Sequence, residues 1–456
     1  MNRNTADLRT QSARFKVLIF SGLLLALSSA TWSMDLLQAY EAAQKQDSTI
    51  LASRAAAQGG RERLPQARAQ LMPSVSASLG RNNNQLSSTT PNFLGQEQTT
   101  DSAYGSSNKT VTIRQPLFRS YLVAQYRQAT ALVADVDASL AQDEQNLAVR
   151  VSGAYFEAML THEQLAMVLA QRKAYSTQLD AARKSFVAGS GTRTDVDEAQ
   201  ARLDMNTAQE IEARQNVAFT LQQLEVLVNQ PIDKISTLNV TRFNLMEPKS
   251  NKLEEWIERA LASNPQILSL QAQLEAASLE VDKSTSGHHP TLDAVAQWTS
   301  SESENVTNVN SRYDNRSLGL QLTIPIFSGG SVNSNVRQAL AALERAEHAL
   351  EAGRRDLGVR VHKELRGITE GAPKIKALEQ ALRSADQLVL SSRKSFEAGS
   401  RTVVDMLNAE QQRMAVLRDL AQARYVYLIS RIKLLALVGE ADTEAMAGIN
   451  LVLDPS

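Results

Sequence analysis

Hydrophobic positions along the chain change their period several times, and they do so twice in the same order. Residues 35–70 read as helical, with Leu37, Tyr40, Ile50 and Leu51 set among small and polar residues. Leu71-Met72-Pro73 ends that pattern, because proline disfavours helix for the residue before it. Val75, Ala77 and Leu79 then alternate with Ser74, Ser76, Ser78 and Gly80, which predicts a strand over about 73–82. Residues 83–107, rich in Asn, Ser, Thr and Gln and without a period, read as a loop. A second strand is predicted over about 108–116, from Val111 and Ile113 to Pro116. Further on, Leu292, Ala294, Ala296 and Trp298 alternate with polar neighbours, as do Leu318, Leu320, Leu322 and Ile324. They predict strands over about 290–300 and 316–325, making four in all.

The remainder predicts helices of unusual length. Phe118 to Phe186 holds no proline and one internal glycine, Gly153, and a helix over 118–186 is about 100 Å long. From 332 to 396, Val332, Val336, Leu340, Leu343, Ala346, Leu350, Leu357 and Val361 form a coiled-coil-like seam. Pro373 is expected to kink that helix. Shorter helices are predicted at about 193–229 and 402–438.

The order repeats because the sequence does. Lys184-Ser185-Phe186-Val187-Ala188-Gly189-Ser190 corresponds to Lys394-Ser395-Phe396-Glu397-Ala398-Gly399-Ser400. The same spacing aligns Asp195 with Asp405. Upstream, Gln115-Pro116-Leu117-Phe118 answers Ile324-Pro325-Ile326-Phe327. Two units, 34–230 and 251–440, with a short tail at 441–456, describe one pseudo-symmetric domain rather than a solenoid. Gly189 and Gly399 mark the helix-turn tips.

Arg3, Arg9, Arg14 and Lys16 precede an apolar run, Val17–Leu27, and then small residues. That is the form of a secretory signal peptide, expected over 1–33 with cleavage at about 30–33. Cysteine is absent, which removes disulfides, thiolate metal sites and a lipidated N-terminal cysteine. A net charge of −1 gives no basic excess for nucleic acid. The five histidines, His162, His288, His289, His348 and His362, form no HExxH motif, and no phosphate-binding glycine loop is present. Neither enzyme activity, cofactor nor metal is expected.

Tilted strands of eight to ten residues cross a bilayer. Four of them cannot close, since the smallest transmembrane barrels have about eight, and open edges in lipid leave backbone groups unpaired. Other copies of the chain must complete the sheet, with cyclic assembly the simplest route. The fold class is then mainly α with a membrane β-barrel portion, a shared barrel on a ring of long helices.

At this point the export segment, the duplicated strand pairs and the turns FVAGSGTRTDV and FEAGSRTVVDMLNAEQQ resemble the TolC-type outer membrane efflux proteins over about 35–440. The resemblance implies a homotrimer with a 12-stranded barrel in the outer membrane lipid and an α-barrel reaching across the periplasm of a Gram-negative bacterium. It implies an exit duct joined through a periplasmic adaptor, a membrane fusion protein, to an inner-membrane ABC or proton-driven pump. The cargo is protein, as in type I secretion, or drug. It also implies a gate at the periplasmic tips. Asp195 with Thr194 matches the latch acceptors and Arg401 the latch arginine, while Phe396 stands where the family has a tyrosine and carries no hydroxyl. Asp405 matches the first acidic residue of the constriction, and Asn408 replaces the second. A ring of Asp405 carboxylates attracts cations.

Plainer readings stand beside these. An Asp or Arg just past a helix turn is ordinarily a cap, and Gly189 and Gly399 ordinarily terminate helices. Trp298 and Tyr313 suggest an interfacial aromatic belt. Three alternative classes remain: a soluble periplasmic coiled-coil adaptor or structural protein, a passive porin, and an exported helical enzyme.

Overall fold

The computed structural model describes residues 33–243, 245, 250, 252–304 and 310–454. The expected signal peptide, apart from Ser33, lies outside the described residues. Sixteen elements were delineated, of which the fifteen helices and strands used below run in order. They are α1 (Leu36–Gln46), α2 (Ser48–Arg61), α3 (Arg63–Ala69), β1 (Ser74–Pro91), β2 (Glu97–Phe118), α4 (Ser120–Val187) and α5 (Arg193–Val228). The second half holds α6 (Leu253–Ser263), α7 (Pro265–Thr285), β3 (Thr291–Ser303), β4 (Ser311–Thr323), α8 (Ser331–Thr369), α9 (Gly371–Glu397), α10 (Val403–Leu437) and α11 (Thr443–Asn450). Among the described residues no helix is long and apolar enough to cross a membrane.

The strands form one antiparallel sheet in the order β1-β2-β3-β4. Its register sorts the side chains by face. Ala77 lies opposite Val111, Val111 opposite Trp298, and Ala296 opposite Leu318. One face therefore carries Val75, Leu79, Ile113, Leu320 and Leu322, and Leu79, Leu318 and Leu320 are 80%, 84% and 70% exposed. The other face is polar, with Ser76, Thr112, Gln297 and Ser317 side by side. Trp298 lies on the apolar face. Tyr313, paired with Ser301, lies on the polar face, so the two do not share an outward belt.

Residues 83–107 are not a loop. β1 and β2 stay paired from Ser74↔Arg114 up to Pro91↔Glu97, whereas β2 leaves β3 at Ser106↔Ser303. Beyond that level the ribbon has no third strand to pack on, so both faces meet solvent and no hydrophobic alternation survives. Polar cross-strand bonds hold it, including Thr89 Oγ1 to Thr99 Oγ1 at 2.8 Å and Asn84 Nδ2 to Ser106 Oγ at 2.9 Å. β3 and β4 also differ from expectation: they end at Ser303 and begin at Ser311, and β4 stops before Ile324-Pro325.

α4 runs 68 residues, about 100 Å. The long helix expected over 332–396 is two helices. Proline at 373 has no N–H for the carbonyl of Thr369, four residues earlier, so α8 ends at Thr369 and Pro373 sits in the first turn of α9. The break thus precedes the proline. The short helix before β1 is likewise divided, between Arg61 and Arg63.

The main core lies midway along the helices. Tyr155, Leu147, Leu224, Leu357, Ile375 and Tyr427 are fully enclosed there, together with Leu36 of α1 and Met446 of α11. A belt of non-helical chain closes it through the Met34↔Ile235 and Leu238↔Leu453 bridges. Tyr155 Oη, completely buried, lies 3.0 Å from Met34 O and 3.1 Å from Ser236 O. This anchorage leaves the sheet at one end of the chain and two helical hairpins, α4–α5 and α9–α10, at the other.

Candidate functional site

Both hairpins turn in the same way. After α4, Gly189 adopts φ +74° and its N–H reaches Phe186 O at 3.0 Å, while Ser190 N–H reaches Ser185 O at 3.0 Å. After α9, Gly399 adopts the same φ, with Gly399 N–H to Phe396 O and Ser400 N–H to Ser395 O, both 2.9 Å. Glycine meets a left-handed residue at a helix end without a Cβ penalty. The following helix then starts on a capping box. Thr192 Oγ1 accepts from Asp195 N–H at 3.1 Å, and Asp195 Oδ2 accepts from Thr192 N–H and Oγ1 at 3.0 and 2.7 Å. Thr402 and Asp405 reproduce this with 3.2, 3.0 and 2.7 Å.

Asp195 and Asp405 are therefore the third residues of capping boxes whose N-caps are Thr192 and Thr402. The Thr402 hydroxyl and N–H, helped by the Arg401 charge, hold the Asp405 carboxyl below the usual aspartate range. Within one chain Asp195 and Arg401 do not pair. Arg401 Nη1 donates to Ser392 Oγ at 2.7 Å, on its own hairpin. Thr194, next to Asp195, is exposed.

Phe396 has a different partner from the one a tyrosine would take. With Leu203 it packs half-buried against Tyr175, Val403 and Leu407. Those five side chains come from α4, α5, α9 and α10, so an apolar contact joins the two hairpins. Asn408 Oδ1 accepts from Arg202 Nη2 at 3.2 Å. Arg202 and Tyr175 are site residues that the sequence did not single out. Arg202 also pairs with Glu198, one helical turn away, at 2.9 Å.

Beside these contacts α4, α5 and α10 leave an open space. A groove of about 490 Å³ opens between them, lined by Gln171, Tyr175, Met205, Asn206, Gln411 and Met414. Further up, Tyr425 Oη donates to Glu163 Oε2 at 3.0 Å, and burial with that carboxylate alongside raises the phenol's pKa. Among the described residues no group of His, Cys, Asp or Glu is placed to hold a metal. His288 and His289 turn to Asn333 and Ser120 instead.

A second cluster lies where sheet passes into helix. Asp293, near the start of β3, is only 4% exposed in its side chain. Arg119, the residue that precedes α4, donates to it through Nε at 2.8 Å and through Nη2, and Arg114 Nη1 donates at 3.2 Å. β2 shifts register between Pro116 and Phe118 just there. One carboxylate thus ties the last strand turn of the first half to the first strand of the second.

A sheet with a lipid-type face at one end, a helix about 100 Å long leading from it and capped helical hairpins at the far end are the build of an outer membrane channel protein that continues into a helical tunnel. The chain belongs to the TolC-type outer membrane efflux protein family: residues 39–230 and 256–440 match the family described as "Outer membrane efflux protein". It is 33% identical over 440 residues to the alkaline protease secretion protein AprF of Pseudomonas aeruginosa, covering 95% of this chain and 91% of that protein. The proteases secretion protein PrtF of Dickeya chrysanthemi is 29% identical, with 95% and 94% covered. The Campylobacter jejuni CmeC outer membrane channel superposes with a TM-score of 0.78 at 15% identity, over 92% of this chain and 90% of that one. The protein is an outer membrane protein, and its family is one of transport proteins. Family membership sets aside the soluble adaptor as a class.

Proposed function

We propose that three copies of this chain form a 12-stranded barrel in the outer membrane and a helical tunnel below it, a conduit with no enzymatic role. The observation that carries this is the four-stranded sheet itself. The outer edges of β1 and β4 have no partner among the described residues, and Leu318 and Leu320 stand exposed beside them. In lipid each unpaired edge group costs several kcal/mol, and pairing β4 of one copy with β1 of the next removes both edges. The repeats 34–230 and 251–440 then contribute two strands and one hairpin each.

The hairpin tips form the periplasmic gate in this reading. Thr194, Asp195 and Arg401 are latch groups between neighbouring copies, since within one chain they stay apart. Phe396 supplies an apolar contact in place of a hydroxyl. Asp405, with Asn408 above it, lines the constriction and favours cations. A periplasmic adaptor reopens the tips, and an inner-membrane pump drives export. Because AprF and PrtF are described as protease secretion proteins, we assign the cargo to the protein class and the pump to the ABC type.

The protein purified in mild detergent should run unheated as a trimer and insert in planar bilayers as a low-conductance, cation-preferring channel. A monomer, or a protein that never conducts, refutes the conduit. Deletion of its gene should remove a protein from the culture medium. Unchanged secretion with raised drug sensitivity would reassign the cargo to small molecules.

A further inference from the structure

We infer that Arg202 is a clasp that ties the two helical hairpins of one chain together and keeps the tunnel end closed. Each of its three guanidinium nitrogens donates: Nε to Glu198 Oε1 at 2.9 Å, Nη1 to Gln411 Oε1 at 2.7 Å, and Nη2 to Asn408 Oδ1 at 3.2 Å. The side chain is 26% exposed. Glu198 lies one turn earlier on the same face of α5 and aims the guanidinium across to α10. Asn408 and Gln411 are three residues apart on α10, so both amides face the same side. A planar fork with several fixed donors suits two acceptors at once, which a lysine ammonium does not.

The location gives the contact its role. Beside it lie the groove and the Phe396–Tyr175 cluster. Outward movement of α9–α10 away from α4–α5 must break the Arg202 bonds. Both acceptors on α10 are neutral amides, so a strong ion pair does not lock the contact, and it reforms when the hairpins return. Asn408 is thereby an acceptor of the clasp, and Arg202 brings a positive charge to within about one turn of Asp405.

This inference rests on the gated conduit proposed above. In planar bilayers the trimer of Arg202→Ala should show a resting conductance about tenfold above the parent, as expected for losing charge-assisted bonds. Gln411→Ala should show part of that rise, and the double variant no more than Arg202→Ala alone. Equal additive effects, or no rise at all, overturn the clasp. A parent that already conducts at rest as a fully open pore fails the gate reading instead, and the absence of a rise counts against the clasp only over a parent of low resting conductance. Should Arg202→Ala not assemble, the native lack of cysteine permits Arg202→Cys with Gln411→Cys, bridged by a reducible bis-thiosulfonate linker. The bridged channel should stay at parental resting conductance when pulled towards opening by Arg401→Ala, and should be released by reductant. A bridged channel that opens regardless overturns the proposal.

Discussion

Replacing Asp293 tests how the strand part is fixed to the helical part. The carboxylate is 4% exposed, while its partners Arg119 and Arg114 retain 32% and 44% exposure in their side chains. Three charge-assisted hydrogen bonds meet on it. Each is worth roughly 1.5–3 kcal/mol alone, but two share one guanidinium and both cations keep contact with water. Asp293→Ala should therefore cost about 3 kcal/mol per chain, at the lower edge of what breaking a buried pair costs. An unfolding entropy of about 2.1 cal/mol/K per residue over the some 420 residues from Ser33 gives a loss of roughly 3 °C in melting midpoint. If the assembly melts as one unit, cost and entropy scale together and the shift is unchanged. Asp293→Asn keeps one acceptor and should lose about half as much. The assay is thermal unfolding of the detergent-solubilised protein at neutral pH, with Arg119→Ala and the double variant completing the cycle. A midpoint for Asp293→Ala within about 1 °C of the parent, or strictly additive single effects, refutes the anchoring role.

Two other perturbations probe the constriction and the sheet. Thr402 and Arg401 depress the Asp405 pKa, so the carboxylate contributes to helix capping above the usual aspartate range and loses that contribution only as pH falls through its lower, folded-state value. Cation preference in planar bilayers should be present at neutral pH and vanish in Asp405→Asn; a variant that keeps the parent's preference would exclude this carboxylate. On the sheet, Leu320→Arg should cost about 2–4 kcal/mol and deplete the outer membrane of assembled protein, because position 320 is 70% exposed on the apolar face. Ser317→Arg, on the polar face, should be tolerated, and the reverse outcome would invert the face assignment.

How much of this was readable in advance depends on whether a residue faces one environment or several. The alternation of Leu318, Leu320 and Leu322 with Gly319 and Gln321 was legible because one face meets lipid and the other does not. The ribbon beyond Gly80 was not, since water on both faces erases the period although the backbone pairing continues. The capped tips were legible through their repetition at a fixed spacing. The contacts between hairpins were hidden: Arg202 meets Asn408 and Gln411 more than 200 residues away, and each looks like an ordinary helix-surface residue. Asp293 was hidden by occupying a polar position in a correct alternation, where nothing distinguishes a buried anchor from a solvated side chain.

The duplication itself shows where the two halves part. Position 191 of the first tip corresponds to 401 of the second. At Gly191 an added Cβ would lie 3.0 Å from both Phe186 N and Ser185 Cβ, because Gly191 N–H as well as Ser190 N–H folds onto Ser185 O. A side chain there would require Phe186 and Ser185 to give by a few tenths of an ångström. In the second tip Ser400 N–H takes the corresponding bond to Ser395 O, and position 401 carries an arginine that reaches back to Ser392. The caps, the left-handed glycines and the threonine–aspartate boxes are common to both tips, so the shared machinery is that of a stable turn. Among the differences between them, position 401 sets a positive charge next to Asp405 where the first tip has Gly191. A duplicated fold thus obtains two unlike tips without altering the turn that builds them.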